Sequence, residues 1–181
     1  MPLSPPAERE HIHTRTIECR GWRRADGLWD IEGHLTDVKS YGFDNFHRGR
    51  VEAGEPLHEM WLRITIDETY LIHACEAATD HGPHGACGSV DADFSAMKGE
   101  RVGPGILRIV REKFGGVRGC THIVDLFGPV ATTAVQTLGP IMARSKPRDP
   151  AKAPFHLNTC VALADGGDVV KREYSQFYTG S

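Results

Sequence analysis

The sequence lacks the patterns that mark a secreted, membrane-bound or nucleic-acid-binding protein. Residues 1–6 have neither the basic start nor the apolar run of a secretory signal. The most apolar stretch, residues 123–143, is interrupted by Asp125, Gln136 and two prolines, so it predicts a buried helix rather than a membrane span. The 21 basic and 24 acidic residues give a formal net charge of −3, which offers no general attraction for phosphate backbones or anionic lipid. We therefore expect a cytoplasmic protein without nucleic-acid or membrane partners.

Paired cysteines, internal repeats and low-complexity blocks are missing as well. The five cysteines are an odd number, widely spaced and without a Cys-x-x-Cys pair, which disfavours a disulfide framework and favours reduced thiols. A chain of 181 residues is long enough for one domain with one hydrophobic core. We assign residues 11–178 to a single domain and the proline-rich residues 1–10 to a disordered tail.

Alternating apolar residues predict two β-hairpins in the first half of the chain. Residues 11–23 and 28–38 are interpreted as strands, because the intervening Asp26-Gly27 is a strong hairpin signal. In the second of these strands one face carries Trp29, Ile31, Gly33 and Leu35, and the other carries Asp30, Glu32, His34 and Thr36.

Residues 60–66 and 69–78 are interpreted as the second hairpin, and residues 40–56 as a long loop without regular structure. If the two hairpins pair edge to edge, they form a four-stranded antiparallel sheet with one apolar face and one partly polar face.

Helical spacing dominates the second half. Apolar positions predict a helix from Ile106 to Phe114 that stops at Gly115-Gly116, and a longer helix from Thr121 with a kink at Pro129. The proline-rich residues 144–154 are interpreted as a linker, and residues 157–178 as a further hairpin. A sheet followed by helices predicts the α+β class, with an antiparallel sheet of two N-terminal hairpins packed against C-terminal helices.

Four ordered stretches resemble a bacterial family catalogued as domain of unknown function 2889. They are RADGLWDIEGHLTD (residues 24–37), GEPLHEMWLR (54–63), CEAATD (75–80) and GCTH (119–122), which leads to ATTAVQT (131–137). The resemblance covers roughly residues 11–178. It implies a γ-formaldehyde lyase activity on lignin-derived aromatic dimers, in which a hydroxymethyl group leaves as formaldehyde and a stilbene remains. The implied partner is thus a small aromatic substrate.

His122 is the first candidate for a catalytic base. Asp125 follows it by three residues on the predicted helix and could orient the imidazole, although a plain helix-surface pair has the same spacing. His122 borders the apolar stripe of its helix, so we expect it to face the polar side of the sheet. His58 and Glu76 are alternative bases. Cys120, close to the helix start, is either an activated thiol or a packing residue.

Cationic and phenolic donors near the second strand complete the predicted site. Lys39 and Tyr41 could stabilise a phenolate or a developing alkoxide, as could Arg63, although Lys39 and Tyr41 also fit an exposed lysine and a core tyrosine. The predicted substrate-binding residues are His34, Asp37, Trp61 and Asp125.

No cofactor or metal is expected. The run from Asp80 to Cys87, together with Cys75, contains zinc-ligand types, but its glycines and proline favour a surface loop. The leading hypothesis is a carbon–carbon lyase that needs no organic cofactor. A metal-dependent hydrolase using His58, Glu76 and His122 stays open as an alternative, as does a non-catalytic small-molecule-binding protein. A homo-oligomer is also left open.

Overall fold

The computed structural model describes residues 3–145, 149, 151–154 and 156–180, and the chain divides into two compact units, residues 1–141 and residues 142–181. The described residues of the predicted tail, 3–10, form neither helix nor strand. The predicted linker over residues 144–154 lies partly outside the described residues. The single domain over residues 11–178 and the disorder of the tail stay predictions.

Six β-strands are found in the described residues, and the four long ones form one antiparallel sheet. They are β1 (His13–Arg23), β2 (Trp29–Lys39), β3 (Phe43–Asn45), β4 (Gly49–Val51), β5 (Pro56–Ile66) and β6 (Ile72–His81). The sheet has the strand order β1-β2-β5-β6. The two predicted hairpins are therefore joined edge to edge through β2 and β5, which confirms the predicted sheet.

The connection between the two hairpins is more regular than the sequence indicated. Residues 40–56 were expected to lack regular structure, but β3 and β4 pair there as a separate two-stranded sheet. The side chain of Asn45 accepts hydrogen bonds from the backbone amides of His47 and Arg48, and Gly49 adopts a φ of +73°. An Asx turn and a left-handed glycine close this short hairpin locally, so no long apolar strand was needed to form it.

Helices follow the sheet, as predicted for the α+β class. The α-helices of the described residues are α1 (Ile106–Phe114), α2 (Thr121–Ser145) and α3 (Asp168–Glu173), and 3₁₀ segments span Cys87–Met97, Gly116–Arg118, Val161–Leu163 and Ser175–Phe177. The bounds of α1 and the start of α2 agree with the helical spacing. Among the described residues, no helix is both long enough and apolar enough to cross a lipid bilayer.

The hairpin predicted over residues 157–178 is wrong. The described part of this segment contains α3 and short 3₁₀ turns. Asp168 lies in the first turn of α3, and Lys171 and Arg172 lie in its last turn. This order of charges interacts favourably with the helix dipole and so stabilises the helix. The pair Gly166-Gly167 precedes this helix instead of joining two strands.

Helix α2 packs on the apolar face of the sheet. A Cβ atom added to Gly33 of β2 would lie 2.6 Å from a methyl carbon of Val130, so helix and strand approach closely at this point. The stripe of α2 that faces the sheet is fully buried and comprises Ile123, Leu126, Phe127, Val130, Ala134 and Leu138. This packing fixes the start of α2, and with it His122, against the sheet.

Candidate active site

A buried carboxylate interrupts the apolar face of the sheet. Asp37 lies on the same, inward-facing side of β2 as Leu35, and only 1% of its surface is exposed. The strand register places Arg15 of β1 opposite Asp37 on one side and His58 of β5 opposite it on the other. One cross-strand row therefore carries a cation, an anion and an imidazole at the end of a hydrophobic face.

Asp37 is held by a set of charged and polar hydrogen bonds. Arg15 donates from Nε to Oδ1 at 2.8 Å and from Nη2 to Oδ2 at 2.7 Å. His13 Nε2 donates to Oδ1 at 2.9 Å. Burial raises the pKa of Asp37, but the hydrogen bond and the charge of Arg15 outweigh it and lower the pKa to about 2. Asp37 is therefore ionised at neutral pH although it is buried.

Two imidazoles converge on the same carboxylate oxygen. His58 Nδ1 lies 3.1 Å and His122 Nε2 lies 3.7 Å from Asp37 Oδ2, and the two rings are 3.9 Å apart between centroids. The His58 nitrogen is close to the oxygen but is not aligned for a hydrogen bond, and among the described residues it has no hydrogen-bond partner. We call Asp37, His58 and His122 the inner cluster.

Both histidines of the inner cluster are neutral at physiological pH. Burial lowers the pKa of His58 to about 4, with a further contribution from the charge of His122. Burial and then the charge of Arg15 lower the pKa of His122. A neutral imidazole offers a lone pair, so each ring can accept a proton or coordinate a cation. The side chains of His58 and His122 remain 16% and 22% exposed, which leaves them within reach of a ligand.

Cys120 extends the inner cluster on the far side of His122. Its Sγ lies 3.9 Å from His122 Nδ1, whereas His122 Nε2 faces Asp37. The imidazole is therefore oriented between a thiol and a carboxylate. Asp125, which was predicted to orient it, is exposed and acts on His122 and Arg15 through its charge.

The predicted donors Lys39 and Tyr41 lie where β2 ends. Lys39 is two residues beyond Asp37, so strand alternation places it on the same face of the sheet. Its Nζ lies 5.6 Å from the ring centre of Tyr41 and 5.9 Å from that of Phe43. Tyr41 is 45% exposed, so the alternative of a core tyrosine is wrong.

Four other predicted site residues lie on the opposite, outer face of the sheet. The rings of His34 and Trp61 stack with centroids 3.7 Å apart, and Arg63 forms a salt bridge of 2.6 Å with Glu76. Trp61, Arg63 and Glu76 line a cavity of about 230 Å³. The sheet separates this group from the inner cluster, so one small substrate cannot contact both.

The expected orientation of His122 is wrong, because α2 packs on the other face of the sheet. It was expected to face the polar side of the sheet, but α2 packs on the apolar side, and His122 meets the sheet there, beside Asp37. The apolar stripe that fixes the rotation of α2 also fixes which face its first turn approaches.

His13 and Arg15 were missed by the sequence interpretation, although they contact Asp37 directly. They belong to an edge strand that is exposed along most of its length, so its apolar and polar residues do not alternate clearly. Glu59 was also missed; on the outer face it accepts hydrogen bonds from His34 at 3.0 Å and His81 at 2.8 Å. The signal that could have found Arg15 is the register of the first hairpin.

Comparison with known proteins identifies the family. No curated protein and no solved structure matches the chain. A family model described as "Protein of unknown function (DUF2889)" matches residues 13–136, a segment that begins at His13 and includes all three residues of the inner cluster. The match covers more than half of the chain and confirms the family that the motifs resembled. The chain therefore belongs to the family of proteins of unknown function DUF2889.

Proposed function

We propose that this protein is a carbon–carbon lyase whose acid–base centre is the inner cluster. The substrate is a lignin-derived aromatic dimer, from which a hydroxymethyl group leaves as formaldehyde and a stilbene remains. The observation that carries the proposal is the pair of neutral imidazoles beside one ionised, anchored carboxylate. The family resemblance supplies the substrate class. A cytoplasmic location and a small aromatic ligand belong to the same proposal.

His122 is the base in this mechanism. It takes the proton of the primary hydroxyl, the carbon–oxygen bond becomes the carbonyl of formaldehyde, and the carbon–carbon bond breaks. The released electron pair forms the new double bond as the benzylic carbon–oxygen bond breaks, and the proton passes to that departing oxygen. Asp37 stabilises the imidazolium that forms, because its charge lies 3.7 Å from Nε2. Burial lowers the pKa of His58 to about 4, which makes it a weak base at neutral pH.

In this mechanism Lys39 and Tyr41, at the same end of the sheet, stabilise the anionic oxygens of the substrate. Lys39 holds its ammonium over two aromatic rings, and Tyr41 offers an exposed phenol. An aromatic substrate that lies against these rings would place a phenolate or alkoxide oxygen near the ammonium. Arg63 cannot take this role, because it is paired with Glu76 on the outer face.

The test is removal of the base. His122→Ala is expected to lower turnover of an aromatic diol by about 10² to 10⁴, the scale of general-base catalysis, with little loss of stability. His122→Gln preserves much of the shape and is expected to fail as well. Formaldehyde and stilbene are both measured, and they must appear in equal amounts. His73→Ala is the matched control, since His73 pairs with Asp67 at the other end of the sheet. Normal turnover by His122→Ala would remove His122 from the mechanism.

A metal-dependent hydrolase is the second candidate, and one specific observation favours it. The ligand atoms of Asp37, His58 and His122 all lie within 4.8 Å of one another. Two of the separations, 3.1 and 3.7 Å, bracket the roughly 3.3 Å between ligands in a tetrahedral zinc site. His58 Nδ1 lies 3.1 Å from the ionised Asp37 carboxylate, so a cation held there would take the place of the Nδ1 proton between the two groups. Glu76, predicted as a ligand, lies on the outer face, so Asp37 takes its place.

The two candidates differ in their dependence on a metal. A stoichiometric zinc, iron or manganese ion that is required for activity would support the hydrolase and exclude the metal-free lyase. Formaldehyde release by protein that has been dialysed against a chelator would exclude the hydrolase. If candidate aromatic diols bind but remain intact after long incubation, the protein is a small-molecule-binding protein.

A further inference from the structure

The outer face of the sheet carries a row of alternating charges. The register places Arg20, Glu32, Arg63 and Glu76 side by side on β1, β2, β5 and β6. Their side chains are between 38% and 63% exposed. From one edge of the sheet to the other, the row therefore reads positive, negative, positive, negative, and we call it the charge row.

We propose that this outer face binds a second copy of the chain in a two-fold symmetric dimer. A two-fold axis parallel to the strands, between β2 and β5, exchanges β1 with β6 and β2 with β5. In the dimer, Arg20 opposes Glu76 of the second copy, and Glu32 opposes Arg63 of the second copy. All four residues of the charge row then meet an opposite charge, which is the self-complementarity that a two-fold interface requires.

The same pattern excludes the other simple arrangement. A two-fold axis perpendicular to the strands, along the charge row, places each residue against its own copy. Arg20 would then oppose Arg20, and Glu76 would oppose Glu76. Like charges opposed across an interface are strongly unfavourable, so the row selects one relative orientation of the two sheets.

The neighbouring row fits the same axis. It consists of Glu18, His34, Trp61 and Ala78 in strand order. The exchange places the His34–Trp61 stack of one copy against that of the other, and the longer Glu18 against the small Ala78. Cavities of about 230 and 100 Å³ on this face are both lined by Trp61 and Glu32, so they offer space for side chains of the second copy.

Aromatic burial supplies the affinity of this dimer, and charge supplies its register. Trp22 is 50% and Trp61 is 40% exposed, and both lie on the outer face. Buried tryptophans are among the commonest energetic anchors of protein interfaces, whereas exposed ion pairs add little affinity. The inference concerns a surface that the proposed catalysis does not use, and it holds or fails independently of the lyase.

The experiment uses charge-reversed variants of the full chain and analytical ultracentrifugation. The wild type is expected to sediment as a dimer of the 19.9 kDa chain at about 100 µM. Arg20→Glu alone opposes glutamate to glutamate, and Glu76→Arg alone opposes arginine to arginine, so each variant is expected to dissociate at least tenfold more readily. Arg108→Glu, on the exposed part of α1, is the matched control and is expected to remain dimeric.

Mixing the two variants gives the decisive measurement. In a mixed dimer, the substituted position 20 of one chain meets the substituted position 76 of the other, and the unchanged Glu76 of the first meets the unchanged Arg20 of the second. Both pairs between positions 20 and 76 are then opposite in charge. Dimers are therefore expected to reappear on mixing, which neither misfolding nor a broken salt bridge within one chain can produce. A wild-type monomer at about 100 µM, variants that dimerise alone, or a mixture that stays monomeric would each overturn the proposal.

Discussion

Asp37 shows how one residue brings charge into a hydrophobic face. A buried carboxylate is costly unless its oxygens are hydrogen-bonded and its charge is balanced. Arg15 provides both, with two hydrogen bonds to Asp37 from the partly exposed edge strand. The buried carboxylate in turn lies beside two imidazoles whose own burial keeps them neutral. The polar groups of the inner cluster therefore depend on an arginine that needs no contact with a ligand.

Removal of Arg15 is expected to destabilise the fold more than removal of the whole ion pair. Arg15→Met leaves the Asp37 charge buried and short of partners, and should lower the free energy of unfolding by about 3 kcal/mol, measured by urea denaturation. The double variant Arg15→Met/Asp37→Leu removes both charges and should recover most of that loss. Arg108→Met, which breaks an exposed pair outside the outer face of the sheet, is the control. Equal losses in the single and the double variant would contradict this account.

His58 makes stability depend on pH between about 6.5 and 4. The unfolded chain binds a proton at the ordinary histidine pKa near 6.5, whereas the folded chain binds it only near 4. Between these values the unfolded state carries more protons, so the free energy of unfolding falls as the pH falls. The contribution of His58 is complete above pH 6.5 and is lost as the pH drops through 4. The depressed pKa of Asp37 acts in the same direction but only below about 4.

Thermal unfolding at about pH 7, 6, 5 and 4.5 measures this dependence. His58→Gln removes the titrating group and keeps a polar side chain, so its melting temperature should fall less steeply than that of the wild type over this range. His73→Gln is the control, since His73 lies at the other end of the sheet. Parallel curves for wild type and His58→Gln would show that His58 titrates normally in the folded state.

At the scale of elements, the contact between β2 and α2 positions His122. The strand presents Gly33 to the helix, and a Cβ atom there would lie 2.6 Å from Cγ2 of Val130 and 3.0 Å from atoms of Leu126. Val130 is fully buried, and its branched side chain is stiff, so it cannot turn away. The absence of a side chain at Gly33 therefore sets the distance between the helix and the sheet.

Gly33→Ala should push α2 away from the sheet. We expect a loss of about 1–3 kcal/mol in the free energy of unfolding, the usual cost of overpacking, despite the general preference of strands for alanine over glycine. Val130→Ala in the same chain removes the opposing methyl groups and should restore part of the loss. Chemical denaturation of the two single variants and the double variant measures the coupling. Additive losses would show that Gly33 and Val130 do not limit the helix–sheet distance.

Periodicity was sufficient to predict the elements of the fold but not the partners of Asp37. Alternation in residues 28–38 identified both faces of β2, and the helical spacing identified α1 and the start of α2. Alternation also implied that His34 and Asp37, three residues apart, point to opposite faces. The predicted site nevertheless combined them, and the structure places them on opposite sides of the sheet.

The partner of Asp37 depends on the length of a turn. A two-residue turn at Asp26-Gly27 would pair Ala25 with Leu28, and hence Arg15 with Val38. In the structure Arg24 donates its backbone amide to Leu28, Gly27 has a φ of +86°, and Arg15 pairs with Asp37. One extra turn residue thus shifts every pair of the hairpin by one position. Local sequence signals locate such a turn more easily than they fix its length.

At the scale of the whole molecule, the two faces of the sheet carry different kinds of side chains. The inner face joins an apolar core to the proposed proton-transfer centre, and the outer face carries charges of alternating sign and two exposed tryptophans. The net charge of −3 is small, so two copies approach each other without strong overall repulsion. The proposed association and the proposed catalysis therefore use separate faces and can be tested independently.

This separation predicts how activity responds to dilution and salt. Opposite charges across the outer face are screened by salt, so the dissociation constant of the dimer should rise several-fold between about 0.05 and 0.5 M sodium chloride. The inner cluster lies on the other side of the sheet, so formaldehyde release per chain should stay constant as dilution or salt converts dimers to monomers. Sedimentation and turnover are measured on the same samples, with Arg20→Glu as a chain that is expected to be more monomeric than the wild type at each concentration. Turnover that falls in proportion to the dimer fraction would show that the second copy contributes to the catalytic site. A dissociation constant that decreases with added salt would show that apolar contacts, rather than the charge row, dominate the interface.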